Sequence, residues 1–181
     1  MKKEILTRKN LTYVVGYPDN FDASVKHPVI LHLHGAGGRG TDIEIIRTHP
    51  IYGYTENYGL DAVIVSPQCF ADTWFEIFEQ LQEFTRFIYE LDYTDKERFY
   101  LTGSSMGGYT TWQLAMTMPE YFAAIVPVCG GGMYWNAGRL KDLPVWAFHG
   151  SEDGTVLPEE SVKMVNAVNK KGGCAKLTMC E

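Results

Sequence analysis

The sequence predicts an α/β layered fold with a mainly parallel sheet. Short apolar runs alternate with longer stretches of helical period along the whole chain. Several of the runs, such as Val29-Ile30-Leu31-His32-Leu33, are nearly continuous rather than alternating. Strands buried on both faces of a parallel sheet read this way. Three of the runs also end in glycine-bearing turns that carry chemically reactive side chains, and ligands in such folds sit at the carboxyl ends of the strands.

Taken in order, the strand candidates are Leu11–Tyr17, Pro28–His34, Ala62–Ser66, Phe99–Thr102, Ile125–Cys129, Val145–His149 and Ala175–Cys180. Trp74, Ile77, Phe78, Leu81, Phe84, Ile88 and Leu91 recur at three- and four-residue steps. They predict a helix that opens on a Thr73-x-x-Glu76 capping box. A second helix runs from Ser105 to about Thr117, with Tyr109, Trp112 and Met116 on its apolar stripe and Pro119 ending it. A third starts near Pro158, carries Val162, Val165 and Val168, and stops at Gly172 after Lys170 and Lys171. These stripes read as core.

At 181 residues, with 45% hydrophobic and 13% aromatic side chains, the chain is expected to form a single domain with a substantial core. A net charge of −6 argues against a nucleic-acid partner and against an anionic membrane surface. No apolar run approaches membrane-spanning length, and the start, Met1-Lys2-Lys3-Glu4-Ile5, has no apolar leader region. The chain is therefore expected in the cytoplasm, or outside the cell if a leader has been removed. Four cysteines, Cys69, Cys129, Cys174 and Cys180, form no C-x-x-C pair and read as buried free thiols rather than metal ligands or a disulfide framework. No H-E-x-x-H and no phosphate-type G-x-x-x-x-G-K occurs, so neither a metal nor another cofactor is expected.

The chemistry concentrates at Gly103-Ser104-Ser105-Met106-Gly107-Gly108. Strand, G-x-S-x-G and helix together describe a nucleophile elbow, a turn so tight that only small residues fit two positions on either side of the serine. It lifts the Ser105 hydroxyl above the sheet at a helix N-terminus, where free backbone N–H groups favour developing negative charge. The loop His34-Gly35-Ala36-Gly37-Gly38 follows an earlier strand, and an N–H near Ala36 can join that of Met106 in an oxyanion hole. His149-Gly150-Ser151-Glu152-Asp153 follows a later strand, and a carboxylate there can orient a histidine. Asp153 is the better candidate for that acid, and Glu152 the second.

These motifs, with Ser66-Pro67-Gln68-Cys69, Val156 and Pro158, resemble an α/β-hydrolase of the serine esterase type. The chain is similar to compact microbial carboxylesterases, phospholipase/carboxylesterase-like and feruloyl or acetylxylan esterase-like enzymes, also grouped as prolyl-oligopeptidase-type hydrolases. The resemblance runs from about Tyr13 to Cys180. It implies a three-layer sandwich and hydrolysis of a carboxylic ester through an acyl-enzyme on Ser105. A non-catalytic binding module and a peptidase of the same fold are the alternatives.

The family order is serine, acid, histidine, yet all five histidines, His27, His32, His34, His49 and His149, precede Asp153. His34 and His149 lie at strand ends, in turns expected to point them elsewhere. The chain thus reads as shortened at its C-terminus, with the family's histidine loop and closing helix beyond the last strand. Surface left open by that helix predicts a homodimer or a poorly stable chain. Only Gly130 to Leu143 separate two strands where a cap would be inserted, so no large lid is expected. An uncovered site suits small acyl esters, or esters exposed on a polysaccharide. Gln68, Trp74 and Trp135 are the candidates to line the substrate cleft, with Tyr134 beside them.

Overall fold

The computed structural model describes residues 1–181. Eight strands form one sheet: β1 (Lys2–Arg8), β2 (Leu11–Tyr17), β3 (His27–Leu33), β4 (Val63–Pro67), β5 (Thr94–Ser104), β6 (Ala124–Val128), β7 (Val145–Gly150) and β8 (Ala175–Cys180). Their spatial order is β1-β2-β4-β3-β5-β6-β7-β8. Only β2 runs against its neighbours; every pairing from β4 across to β8 is parallel. Parallel neighbours need crossover connections. The chain supplies helices α1 (Glu44–Arg47), α2 (Pro50–Asn57), α3 (Phe78–Tyr89), α4 (Met106–Thr117) and α5 (Glu159–Lys170).

Alternation along β2 divides the interior. Leu11, Tyr13 and Val15 join a 32-residue core with Leu81, Phe84 and Ile88 of α3, Trp112, Ala115 and Met116 of α4, and Met164, Val165 and Val168 of α5. Val14, pointing the other way, packs with Ile46 of α1, Tyr52 of α2 and Ile64 in a smaller cluster. The sheet is therefore the middle of three layers, as the strand period requires. On the face shared with α1 and α2, the strands farther along the sheet leave Trp146 49% exposed, its ring stacked 5.2 Å from Phe148. No helix is long and apolar enough to cross a membrane.

Several boundaries differ from the sequence expectation. β1 was not expected; it is an edge strand of mostly exposed residues, paired through its whole length with β2. α1 and α2 fill a stretch that carried no assigned element. β5 begins at Thr94 rather than Phe99, because the charged residues ahead of Phe99 already extend the strand. The Thr73–Glu76 pair does not cap α3. Its side chains bond each other at 3.1 Å across a turn, and the helix starts at Phe78. The segment between β6 and β7 contains a 3-10 helix over Tyr134–Leu140, and no lid is inserted there.

Candidate active site

β5 ends at Ser104 and α4 begins at Met106, so Ser105 alone makes the turn. Its backbone adopts φ 53° and ψ −116°, a conformation that costs a non-glycine residue of order 1–3 kcal/mol. The surrounding fold holds it there. Ser105 N–H donates to Val128 O of β6 at 2.9 Å. A Cβ on Gly107 would lie 2.0 Å from Leu33 O of β3, and one on Gly103 would lie 2.5 Å from Gly107 O. Glycine at both positions is what lets the helix start so close to the sheet. A serine at a helix N-cap normally spends its hydroxyl on the N–H groups of the first turn. Ser105 makes no such bond, so its oxygen is left for another partner.

The loop after β3 lies against this turn. A Cβ on Gly35 would be 3.4 Å from Ser105 Cβ and 3.2 Å from Ser104 O. Ala36–Gly38 forms a short 3-10 turn in which the N–H groups of Gly38 and Arg39 are bonded to Gly35 O and Ala36 O. The N–H of Ala36 has no backbone acceptor, nor does that of Met106 at the first position of α4.

Buried side chains fix this loop from behind. His34 Nδ1–H donates to Gly35 O at 2.6 Å, and its Nε2 accepts from Cys69 N–H at 2.9 Å. The ring is thus a neutral imidazole with both nitrogens used. Burial, the largest influence, pushes its pKa down to about 4. The Trp74 indole N–H donates to His34 O at 3.1 Å, and its ring lies 4.9 Å from the imidazole. The Gln68 amide donates to Gly38 O at 3.0 Å and to Asp42 O at 2.9 Å. Two sequence expectations are corrected here. Gln68 and Trp74 do not line a cleft; both are buried and brace the loop. Trp135 is 68% exposed on the 3-10 helix, packed edge-on against Tyr134.

Asp153 sits in the turn after β7. Its Oδ1 accepts from Thr155 N–H at 2.9 Å and Val156 N–H at 3.0 Å. The Val156 amide and then the Thr155 amide hold the carboxyl below its ordinary range. Glu152, the second candidate acid, is exposed. His149 lies beneath the same turn with its side chain fully buried. Its Nε2–H donates to Val156 O at 2.8 Å, while Nδ1 meets Ser161 Oγ at 2.7 Å. Asp153 Oδ2 stands 3.7 Å from His149 Nε2.

None of the five histidines presents a ring nitrogen to Ser105. His34 and His149 are committed as described. His27 contacts Asp22 O, His32 contacts Ser66 Oγ, and His49 accepts from Ile51 N–H at the start of α2.

Two features escaped sequence reasoning. Cys129, directly after β6, has φ 48° and brings its Sγ within 4.8 Å of the Asp153 carboxylate and a His149 ring nitrogen. The only signal was its place at a strand end before three glycines. A cleft of about 520 Å³ runs beside α4, lined chiefly by Phe75, Phe78, Tyr109, Gln113, Met133 and Glu160. Tyr109 and Gln113 lie one and two helical turns from Ser105 on α4, but the remaining walls come from segments remote in sequence.

Residues 75–137 match the model of the prolyl oligopeptidase family. The chain is 25% identical over 167 residues to a probable feruloyl esterase C of Aspergillus oryzae, covering 90% of this chain and 62% of the relative. It spans less than two thirds of the length of the curated relatives it matches. A thermostable esterase of known structure superposes with a TM-score of 0.78 at 28% identity, over 98% of this chain and 54% of that one. A putative dipeptidyl aminopeptidase IV from Bacteroides ovatus superposes at 0.77 with 17% identity, over 99% and 32%. Strand order, elbow and these likenesses show that the chain has an α/β-hydrolase fold and is similar to esterases of that fold.

Proposed function

We propose that the chain hydrolyses carboxylic esters through an acyl-enzyme on Ser105. The observation that carries this reading is the backbone of Ser105. It is a non-glycine residue held at φ 53°, with a hydroxyl that does not cap its own helix. Strain of this kind concentrates where a side chain must be presented for chemistry.

In this reading Ser105 Oγ attacks the acyl carbon, and the carbonyl oxygen gains negative charge that the Ala36 and Met106 N–H groups stabilise by donating hydrogen bonds to it. The ester C–O bond then breaks, the alcohol leaves with the serine proton, and water hydrolyses the acyl-serine. Asp153 has the role of orienting the imidazole that carries the proton. The five histidines of this chain are committed elsewhere, so the reading leaves that imidazole to be supplied. The cleft beside Tyr109 offers an apolar wall to one side of the ester. With no cap between β6 and β7, small acyl groups and esters exposed on a polymer are the expected substrates.

Peptide hydrolysis is the second reading. It is favoured by the prolyl oligopeptidase match over residues 75–137. Amides and esters pass through the same acyl-serine, so a p-nitroanilide run beside a p-nitrophenyl ester separates the two.

The test supplies the base from solution. The chain and its Ser105→Ala variant are treated with p-nitrophenyl acetate, with and without imidazole, and digested for mass spectrometry. Acetyl is expected on the peptide containing Ser105, forming faster with imidazole than without. Equal p-nitrophenol release by the two proteins, with no acetyl on Ser105, would sink the assignment of the nucleophile. A chain that binds ester analogues yet never acylates would point to the binding-module alternative.

A further inference from the structure

The Thr155 and Val156 amides occupy Asp153 Oδ1 alone. An ionised carboxylate accepts at two oxygens, so Oδ2 has room for another donor. His149 does not fill that place: its Nε2–H is given to Val156 O at 2.8 Å, and Oδ2 lies 3.7 Å away. The remaining neighbour is the Cys129 thiol, within 4.8 Å on the end of the adjacent strand.

The backbone at Cys129 is itself unusual. Cys129 N–H donates to Phe148 O of β7 at 2.8 Å, and the residue takes φ 48°, uncommon for any side chain but glycine. The positive φ turns the residue out of the strand direction at the point where β6 passes Asp153.

We propose that Cys129 is a positioning residue for Asp153, its S–H donating to the carboxylate as a third hydrogen bond beside those from Thr155 and Val156. The proposal rests on the reading of Asp153 as the orienting acid, but its geometry does not depend on turnover.

The electrostatics fit a thiol that stays protonated. Burial first, and then the Asp153 carboxylate, push the Cys129 pKa up, and the thiol in turn helps to keep Asp153 ionised. The other titratable groups facing this pair are His149 from β7, toward Asp153, and Cys180 from β8, toward Cys129.

The experiment reads both partners in the 181-residue chain. Carboxyl carbon chemical shifts of Asp153 are followed by NMR as pH is varied, in the parent chain and in Cys129→Ala and Cys129→Ser. Losing a donor to the ionised form should raise the Asp153 pKa by roughly half a unit to one unit in Cys129→Ala. Cys129→Ser, which keeps an O–H donor, should restore it. A role in packing alone would leave the Asp153 titration unmoved. An unchanged titration in Cys129→Ala overturns the proposal.

The second arm keeps the test open should Cys129→Ala not fold. In Asp153→Asn the carboxylate's share in keeping the thiol protonated, which adds to that of burial, is gone. Cys129 should then be alkylated several-fold faster by iodoacetamide at mildly alkaline pH, because the thiolate is the nucleophile. Cys174 serves as the internal reference in the same peptide maps. An unchanged Cys129 rate again overturns the proposal. Neither readout uses ester hydrolysis, so failure of Ser105 to acylate and failure of this pairing are distinguishable.

Discussion

Two loops flank Ser105, and each opens on a His-Gly pair at the end of a strand. His34-Gly35 follows β3, and His149-Gly150 closes β7. Both imidazoles are buried, and both spend their two nitrogens on nearby groups. The loops differ in where their bonds come from. The first is tied by partners 26 to 40 residues away: Cys69 N–H to His34, Trp74 to His34 O, Gln68 to Gly38 O and Asp42 O. The second is tied mostly within 12 residues, by Asp153 to Thr155 and Val156 and by His149 to Val156 and Ser161, with one backbone bond reaching out from Ser151 N–H to Cys180 O of β8. The oxyanion side is thus shaped by side chains from remote segments, the acid side chiefly by its own turn and the start of α5, with the neighbouring strands adding the Ser151–Cys180 bond and the Cys129 thiol.

The sharpest way to break that contrast is a methyl group on each side. Gly107→Ala would drive a Cβ to 2.0 Å from Leu33 O and 2.8 Å from His34 O, with backbone on both sides of the clash. Overpacking of this severity should cost about 3 kcal/mol or more, or prevent folding. Gly154→Ala, in the second loop, meets nothing within 4 Å and should shift stability by no more than about 0.5 kcal/mol. Urea unfolding midpoints compare the two. Comparable losses would mean that the acid turn is as tightly tied to the sheet as the elbow.

Acid should weaken the first loop and the strand that leads into it. Burial pushes His34 down to about 4 and its neighbour His32 down to about 3, both from an ordinary value of 6.5. Each is neutral in the folded chain and takes up a proton on unfolding. Their stabilising contribution is therefore complete above about pH 6.5 and falls away as pH drops toward 4 and 3. The slope is about 1.4 kcal/mol per pH unit for each histidine across that window. Stability measured at pH 7, 6 and 5 should fall accordingly, and His34→Gln should make the fall shallower. A slope that His34→Gln leaves unchanged would show that this imidazole is charged in the folded chain.

The same contrast explains what could be read in advance. The strands from β2 to β8, the elbow and the two strand-end loops were legible because period, glycine placement and order along the chain are local properties. β1 was not. Ile5 and Leu6 are adjacent rather than alternating, the rest of the strand is charged or polar, and only pairing with β2 extends it. Thr73 and Glu76 had the spacing of a cap, but a capping box needs the helix to start there, and Trp74 is turned inward to bond His34 O instead. The part played by Cys129 depends on the end of β6 lying beside the turn after β7, and no spacing within the sequence carries that.

The smallest effects test the pair of residues whose roles were read alike and came out unlike. Gln68 and Trp135 were both expected at the substrate. Gln68 is 2% exposed and gives its amide to two loop carbonyls, whereas Trp135 is 68% exposed and touches Tyr134 edge-on. Replacing Gln68 by Leu keeps the bulk and removes both donors, leaving Gly38 O and Asp42 O without their partner. A buried acceptor stranded in this way costs roughly 1–3 kcal/mol, and the loss should come with faster amide exchange along Ala36–Gly38. Trp135→Ala removes an exposed ring and should change stability by less than about 0.5 kcal/mol. If Trp135 has any part in ester binding, it will show as a change in the concentration dependence of Ser105 acylation with the fold intact. If neither stability nor acylation moves, the ring is surface alone. A Gln68→Leu chain as stable as the parent would mean that the oxyanion loop holds its shape from within, and the distinction between the two loops would fall with it.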